Sequence, residues 1–158
     1  MIRPSGSKVA RRTTASFRQL FVMGALSLAL GGCATSSDVV VNRSAAHTTY
    51  TSAYVVTHGG NGADMDALIE KELLRHGLNV SSGSASPSSG QLRIEYVDEW
   101  RWDMVMYLRS LDVTAYDDRS QGLLATGSWK NSVMHGYHSK DTVVADVVSE
   151  TLKGIGTK

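Results

Sequence analysis

Residues 91–102 (QLRIEYVDEWRW) decide the fold, because apolar and charged side chains alternate along most of this stretch. One parity holds the apolar set Leu92, Ile94, Tyr96, Trp100 and Trp102. The other parity holds the charged set Arg93, Glu95, Glu99 and Arg101. Because successive side chains of a strand point to opposite faces of a sheet, this period of two predicts a strand with one buried and one solvated face. Such a strand needs partner strands and a second layer over its apolar face.

Two further strand-like runs follow this stretch. Residues 104–116 alternate less regularly, and residues 117–122 (DDRSQG) form a polar segment that ends in glycine, which predicts a hairpin turn. Residues 123–133 are then expected to form a strand that pairs with residues 104–116. The apolar residues that share one parity in this last run are Leu123, Ala125 and Trp129.

Two segments have the spacing of amphipathic helices instead. Residues 63–76 place Met65, Leu68, Ile69 and Leu73 on one stripe. Gly77 and Leu78 then predict a Schellman stop, in which glycine takes a left-handed conformation and the next apolar residue packs back on the helix. Residues 142–152 carry a second apolar stripe, rich in valine, with Ser139 or Asp141 as the cap. Since valine is a poor helix former, packing has to hold this helix.

Two short strands complete the order of elements. Residues 49–57 are rich in β-branched and aromatic side chains, and residues 78–80 form a short run after the first helix. The sequence therefore predicts an α+β fold, with two helices packed on one face of a mostly antiparallel sheet of four to five strands. We expect residues 49–158 to form a single domain.

The first 32 residues have the composition of an export signal. Residues 1–18 hold five basic residues and no acidic one, and residues 20–30 (LFVMGALSLAL) are apolar throughout. This apolar run is shorter than the roughly 20 residues that span a bilayer as a helix. Removal of the leader would leave 11 basic against 15 acidic residues, so the rest of the chain has no basic excess that would indicate nucleic-acid binding.

The tetrapeptide Leu30-Gly31-Gly32-Cys33 closes the apolar run and contains the only cysteine of the chain. It resembles the lipobox of bacterial lipoproteins, with Leu30, Gly31 and Gly32 in the positions that the signal peptidase recognises. The resemblance implies cleavage before Cys33, which would then carry a thioether-linked diacylglycerol and an N-acyl chain. Several acyl chains together hold a protein stably on a membrane. Ala34, in the position where an aspartate retains such proteins in the inner membrane, favours the periplasmic face of the outer membrane.

The segment after the lipobox is small and polar. Residues 33–48 therefore read as an acylated N-terminus and a flexible tether. Residues 39–41 are the exception, since three consecutive valines can form a short edge strand.

The pair His135 and His138 forms a candidate metal site, because two imidazoles this close together can reach one ion. A site needs a third and usually a fourth ligand, which only the fold could supply from His58 or Asp141. The alternative is a loop with exposed histidines. No metal or other cofactor is expected.

Residues 59–62 (GGNG) lack the lysine of a phosphate-binding loop and fit a plain turn between a strand and a helix.

The acidic residues beside Trp100 and Trp102 allow a second chemical reading. Carboxylates next to aromatic rings occur in carbohydrate-active sites. Alternation places Glu95, Glu99 and Asp103 away from the tryptophans, so a solvated strand face, with Arg93 and Arg101 as cross-strand partners, is the simpler interpretation. We expect both tryptophans in the core. If instead they lie beyond the helices, they become candidate residues for binding a partner.

The chain resembles small proteobacterial lipoproteins, through residues 99–103 (EWRWD), Tyr107-Leu108 and residues 129–132 (WKNS). Its order of elements is similar to that of LptE-type lipoproteins, which combine a lipidated cysteine, two helices and a four-stranded sheet. These resemblances imply a non-catalytic envelope protein, bound to membrane lipid through Cys33, that binds a protein partner. The alternatives are an LptE-like assembly factor and a metal-dependent or carbohydrate-active enzyme. No Gly-x-Ser-x-Gly nucleophile motif is present.

Overall fold

The computed structural model describes residues 35–42, 49–58, 63–85, 91–132 and 136–156. The lipobox residues lie outside these ranges, as do residues 59–62. The elements in chain order are β1 (Ser36–Val41), β2 (Ser52–Val56), α1 (Ala63–Arg75), β3 (Asn79–Gly83), β4 (Leu92–Asp103), β5 (Val105–Asp117), β6 (Gly122–Lys130) and α2 (Lys140–Gly154). The predicted α+β class is confirmed, and no helix among the described residues is long and apolar enough to cross a membrane.

The six strands form one mixed sheet in the order β1-β6-β5-β4-β2-β3. Strand β2 runs parallel to both of its neighbours, and the other pairings are antiparallel. The expected four to five strands were too few. Ser36–Val41, within the segment expected as a tether, pairs with β6 along its full length and makes β1 an edge strand. The short strand after α1 also continues to Gly83, because it pairs with β2.

Helix α1 buries Met65, Ile69 and Leu73 against the sheet, as its spacing predicts. The predicted Schellman stop is present. The Leu78 N–H donates to the Leu73 carbonyl at 3.3 Å, the Gly77 N–H donates to the Leu74 carbonyl at 3.0 Å, and Gly77 has φ +81°. These bonds satisfy carbonyls that the end of the helix would otherwise leave without partners.

Helix α2 packs over β6, β5 and β1. Ser139 occupies its N-cap position without a side-chain hydrogen bond to the helix. The buried stripe of the helix comprises Val143, Val144, Val147, Val148, Thr151 and Leu152. The helix lies tightly against the sheet at Gly127, where an added Cβ would lie 2.2 Å from Oγ1 of Thr151. Packing therefore compensates for the weak helix propensity of valine.

Two β-bulges shift the alternation in the hairpin strands. Glu99 pairs with Ser110 but Trp100 pairs with Leu108, which leaves Arg109 as the extra residue of β5. Ala115 pairs with Ala125 but Tyr116 pairs with Leu123, which leaves Leu124 as the extra residue of β6. The second bulge buries Leu124 and leaves Leu123 exposed, although Leu123 shares its sequence parity with the buried Ala125 and Trp129.

The sheet face opposite the helices is polar, as the alternation of β4 predicts. Each arginine pairs with a glutamate of its own strand, Arg93 with Glu95 and Arg101 with Glu99. Arg93 also reaches across to the Asp118 carboxylate just after β5, at 3.6 Å, so the expected cross-strand pairing is present for this arginine. Arg93 also lies over the Tyr116 ring, 4.4 Å from the ring centroid.

The turn between β5 and β6 closes one end of the sheet. The Asp117 carboxylate accepts hydrogen bonds from the backbone N–H groups of Ser120 (3.0 Å) and Arg119 (2.9 Å), and from the Tyr50 hydroxyl (2.8 Å). The Ser120 bond above all holds the pKa of the Asp117 carboxyl below its ordinary value. The other ends of the same strands carry the candidate site.

Candidate functional site

The hairpin of β4 and β5 projects beyond the rest of the sheet. Strand β2 pairs with β4 only as far as Ile94, and β6 pairs with β5 only as far as Ser110. From residue 100 to residue 108 the two strands therefore pair only with each other. We call residues 100–108 the hairpin arm. It turns at Met104, a single residue with φ +63° that joins Asp103 to Val105.

Buried polar contacts fix the base of the arm. The Arg109 guanidinium, freed by the bulge, donates to the carbonyl of Asn131 at 2.7 Å. The buried Asn131 amide donates to the carbonyls of Leu108 (3.3 Å) and Gly136 (3.0 Å). One side chain thus ties the arm to the loop that precedes α2, which holds two segments far apart in sequence side by side.

A groove of ≈ 360 Å³ lies between the arm and this loop. We call it the arm groove. The Tyr107 and Tyr137 rings meet edge to face, with centroids 6.5 Å apart. The Tyr137 hydroxyl donates to the Asp103 carbonyl at 3.4 Å, across the arm. The lining residues are Trp100, Met106, Tyr107, Leu108, Tyr137, His138 and Lys140.

The two predicted tryptophans take different positions. Trp100 is half-buried, packs against the core and lines the arm groove, while its indole N–H donates to the Asp98 carboxylate at 2.5 Å. Trp102 lies near the tip of the arm and is 70% exposed, so its expected place in the core was wrong. Strand β4 continues past the helices, so a side chain at Trp102 on its core-facing side no longer has a helix to pack against.

The histidine site receives no support from the described residues. His138 is exposed, with its ring edge-to-face against Trp129 at 5.6 Å, and His135 lies outside the described residues. Of the further ligands considered, His58 stacks on Tyr96 at 4.4 Å and Asp141 lies 3.9 Å from Lys71. Within the described ranges no group of three His, Cys, Asp or Glu side chains could hold a metal ion.

Of the acidic residues beside the tryptophans, Asp98 contacts Trp100, whereas Glu95 and Glu99 lie on the opposite face of the sheet. Glu95 and Glu99 pair with arginines of their own strand, on the polar face of the sheet. Asp98 is committed to the Trp100 indole. Sequence reasoning missed Tyr107 and Tyr137, because the bulge at Arg109 and the contacts of Asn131 bring them together.

Comparison with known proteins identifies the fold but no family. No family model matches the chain, and no curated protein matches it. A PelC dodecamer from Paraburkholderia phytofirmans aligns with a TM-score of 0.57 at 10% identity, covering 79% of this chain and 99% of that chain. A PDZ domain protein from Parabacteroides distasonis gives a TM-score of 0.49 at 14% identity, covering 89% of this chain and 40% of that one.

A weaker structural neighbour is a minor lipoprotein from Acinetobacter baumannii. It has a TM-score of 0.36 at 13% identity and covers 67% of this chain and 92% of that chain. At 10% identity the alignment with PelC shows a shared fold alone. The PDZ domain protein and the minor lipoprotein align less well, with TM-scores below 0.5. The similarity to LptE-type lipoproteins remains one of element order, and the sheet here has six strands.

Proposed function

We propose that this chain is a lipid-anchored, non-catalytic protein of the cell envelope that binds a protein partner through the arm groove, at the periplasmic face of the outer membrane. The observation that carries the proposal is the gathering of Trp100, Tyr107 and Tyr137 around one groove beside the projecting arm. Tryptophan and tyrosine offer a large contact area with few rotatable bonds, and they are enriched where proteins bind each other most strongly.

The chemistry of the groove suits an apolar anchor from a partner. Its floor is aromatic and aliphatic, and its polar residues are His138 and Lys140, neither of which is acidic. The Lys140 ammonium pairs with Asp64 of α1 at 3.0 Å, so its charge is already matched. Because Asn131 holds the loop against the arm, the groove is formed before a partner arrives, which lowers the entropic cost of binding.

Loss of the acylated residue should release the protein from the membrane. The variant Cys33→Ser is expected to leave the precursor uncut or to move the protein into the soluble periplasmic fraction, because the thiol that receives the diacylglycerol is gone. The measurement is intact mass of the membrane-extracted wild-type chain, together with fractionation of both forms. A wild-type mass that does not begin at Cys33 plus acyl chains would refute the anchor.

Truncation of the groove tyrosines should remove the partner. We expect Tyr107→Ala and Tyr137→Ala each to weaken partner capture by about 10-fold or more, the scale of an interface residue worth at least ~1.4 kcal/mol. The readout is quantitative mass spectrometry after crosslinking in the native membrane. Val97→Ala is the control, since Val97 is an apolar residue on the polar sheet face that is as exposed as Tyr137. Equal recovery of partners by all three variants would contradict the proposal.

The same crosslinking distinguishes the kinds of partner. PelC, which shares the fold, is described as a dodecamer, so a second copy of this chain is one candidate. Crosslinks between two copies, lost in Tyr137→Ala, would identify self-assembly through the groove. A stoichiometric β-barrel protein would instead favour the LptE-like alternative.

A further inference from the structure

We propose that the tip of the hairpin arm, residues 102–106, inserts into the surface of the same bilayer that holds the acyl chains of Cys33. This inference rests on the lipid anchor of the proposed function and adds a second, non-covalent point of membrane contact. It differs from the partner site, because the arm groove lies on the flank of the arm and the turn at Met104 lies at its end, with Met106 belonging to both.

The tip is apolar and exposed. Met104 is 84% exposed, Trp102 70% and Met106 59%, and Val105 between them is also exposed. Asp103 is the single charged residue among the five. Contiguous apolar side chains at the end of a projecting hairpin mark an interaction site, because water contact with them costs free energy that a protein surface normally avoids.

The strand register shows what lies at this end of the sheet. Ser36, the first residue of β1, pairs with Lys130 at the end of β6, and Lys130 pairs with Ser110 of β5. From Ser110 back to Val105, β5 runs out along the arm to the tip. The chain therefore enters the sheet at the end from which the arm projects, and Cys33 precedes Ser36 by only three residues.

Chain lengths set the depth that the tip can reach. The five steps from Ser110 to Val105 include the bulged Arg109. The paired strand covers the same distance in four steps, from Glu99 to Asp103, so the arm carries the tip about 13 Å beyond the level of Ser36. Three extended residues allow Cys33 to lie at most about 10 Å beyond it. With Cys33 at the membrane surface, the tip would reach at least about 3 Å further, and less extended residues between Cys33 and Ser36 would bring it to the roughly 5–10 Å to which interfacial apolar segments enter a bilayer.

The side chains fit this depth. Tryptophan prefers the level of the lipid headgroups, which suits the exposed Trp102, while Met104 at the turn lies furthest out. The charged pair Arg101–Glu99 lies on the sheet side of Trp102, where it stays hydrated. A lipid surface is therefore favoured over a protein as the occupant of the tip, since the anchor keeps lipid within its reach.

The experiment places an environment-sensitive label at the tip of the acylated chain. Acylation consumes the thiol of Cys33, so Met104→Cys supplies the free cysteine for a nitrobenzoxadiazole dye. The labelled protein is reconstituted in vesicles of four parts phosphatidylcholine to one part phosphatidylglycerol, with and without nitroxide-labelled lipid. Arg119→Cys, in the turn at the opposite end of the sheet, carries the same dye as the matched control.

The expected result is blue-shifted emission that nitroxide lipid quenches for Met104→Cys, and unshifted, unquenched emission for Arg119→Cys. Equal quenching at both positions, or at neither, would overturn the inference. Flotation with the vesicles and intact mass report the anchor separately. A chain that is acylated and floats but keeps its tip label in water refutes the insertion alone. A chain that is not acylated would refute the lipid anchor of the proposed function, and with it the inference that depends on this anchor.

Discussion

The variant Gly127→Ala is expected to lower the free energy of unfolding by about 2–3 kcal/mol, the cost of overpacking a well-filled core. A Cβ at this position would lie 2.2 Å from Oγ1 of Thr151, and 3.2 Å from the carbonyl oxygen of Val147. The first atom belongs to a buried side chain and the second to the backbone of α2, so the helix itself has to move away from β6. Elsewhere in a strand the same change would be neutral or stabilising by about 0.4–1 kcal/mol.

Thermal unfolding measures the effect, with a fall in Tm of about 10 °C for a domain of this size. Ser128→Ala, one residue along the same strand but on the polar face, is the control and should change little. Adding Thr151→Ala removes the nearest clashing atom, although it also removes the 2.7 Å hydrogen bond from Thr151 to the Val147 carbonyl. The double variant should therefore lose less than the sum of the single variants. Simple additivity would show that the contact between α2 and β6 is not what forbids a side chain at residue 127.

Removal of the Tyr96 side chain should be at least as damaging. Tyr96 is among the largest fully buried side chains, its ring stacks on His58 at 4.4 Å, and its hydroxyl donates to the Asp66 carboxylate at 2.6 Å. Tyr96→Ala leaves a cavity where an aromatic ring packed, which costs about 3–5 kcal/mol. It also takes a hydrogen-bond donor from a buried carboxylate. The expected result is a largely unfolded protein at 37 °C, read from circular dichroism and chemical denaturation.

The variant Tyr96→Phe separates the ring from the hydroxyl. It should cost about 1–2 kcal/mol at neutral pH, since it removes the bond to Asp66 and keeps the ring. Burial foremost, and then the bond to Asp66, raises the pKa of the Tyr96 phenol above its ordinary value. The folded state therefore keeps the proton that the unfolded state releases above about pH 10, and wild-type stability falls as pH rises through that range.

Because phenylalanine has no such proton, the difference between wild type and Tyr96→Phe should shrink above pH 10. Tyr116→Phe is the control, because that ring lies on the polar sheet face beneath Arg93. A gap between wild type and Tyr96→Phe that stays constant from neutral to alkaline pH would contradict a buried, protonated phenol.

The regular elements were predictable because their local patterns agree with their packing. The stripe of α1, the glycine stop at Gly77 and the alternation at the start of β4 all follow from side-chain spacing. Strand β1 was underestimated because serine and aspartate at its start look like a tether, and only pairing with β6 makes them a strand. The bulges escaped prediction as well, since an extra residue in one strand is defined by its partner.

Little of the candidate site could be predicted from the sequence. Both tryptophans were recognised as candidate residues. The alternation of apolar and polar side chains could not show, however, that β4 extends beyond the helices between Trp100 and Trp102. The arm groove depends on Tyr137, which comes 30 residues after Tyr107 and meets it only because Asn131 holds the intervening loop. Contacts at such separation depend on tertiary structure and leave no local periodicity.

The position of β1 at the sheet edge also has a mechanical consequence. A pull on the chain that precedes Ser36 acts along the axis of β1, outward past the end of the sheet from which the arm projects. The strand can yield only by sliding past β6, so the load falls on all six pairs of the ladder from Ser36 to Val41 together. At the far end, Asn42 bonds to the carbonyls of Leu124 (2.8 Å) and Leu123 (3.1 Å) and adds to this resistance. The domain is thus loaded in shear when it is held by its N-terminus, whereas a peeling force would break the same bonds one at a time.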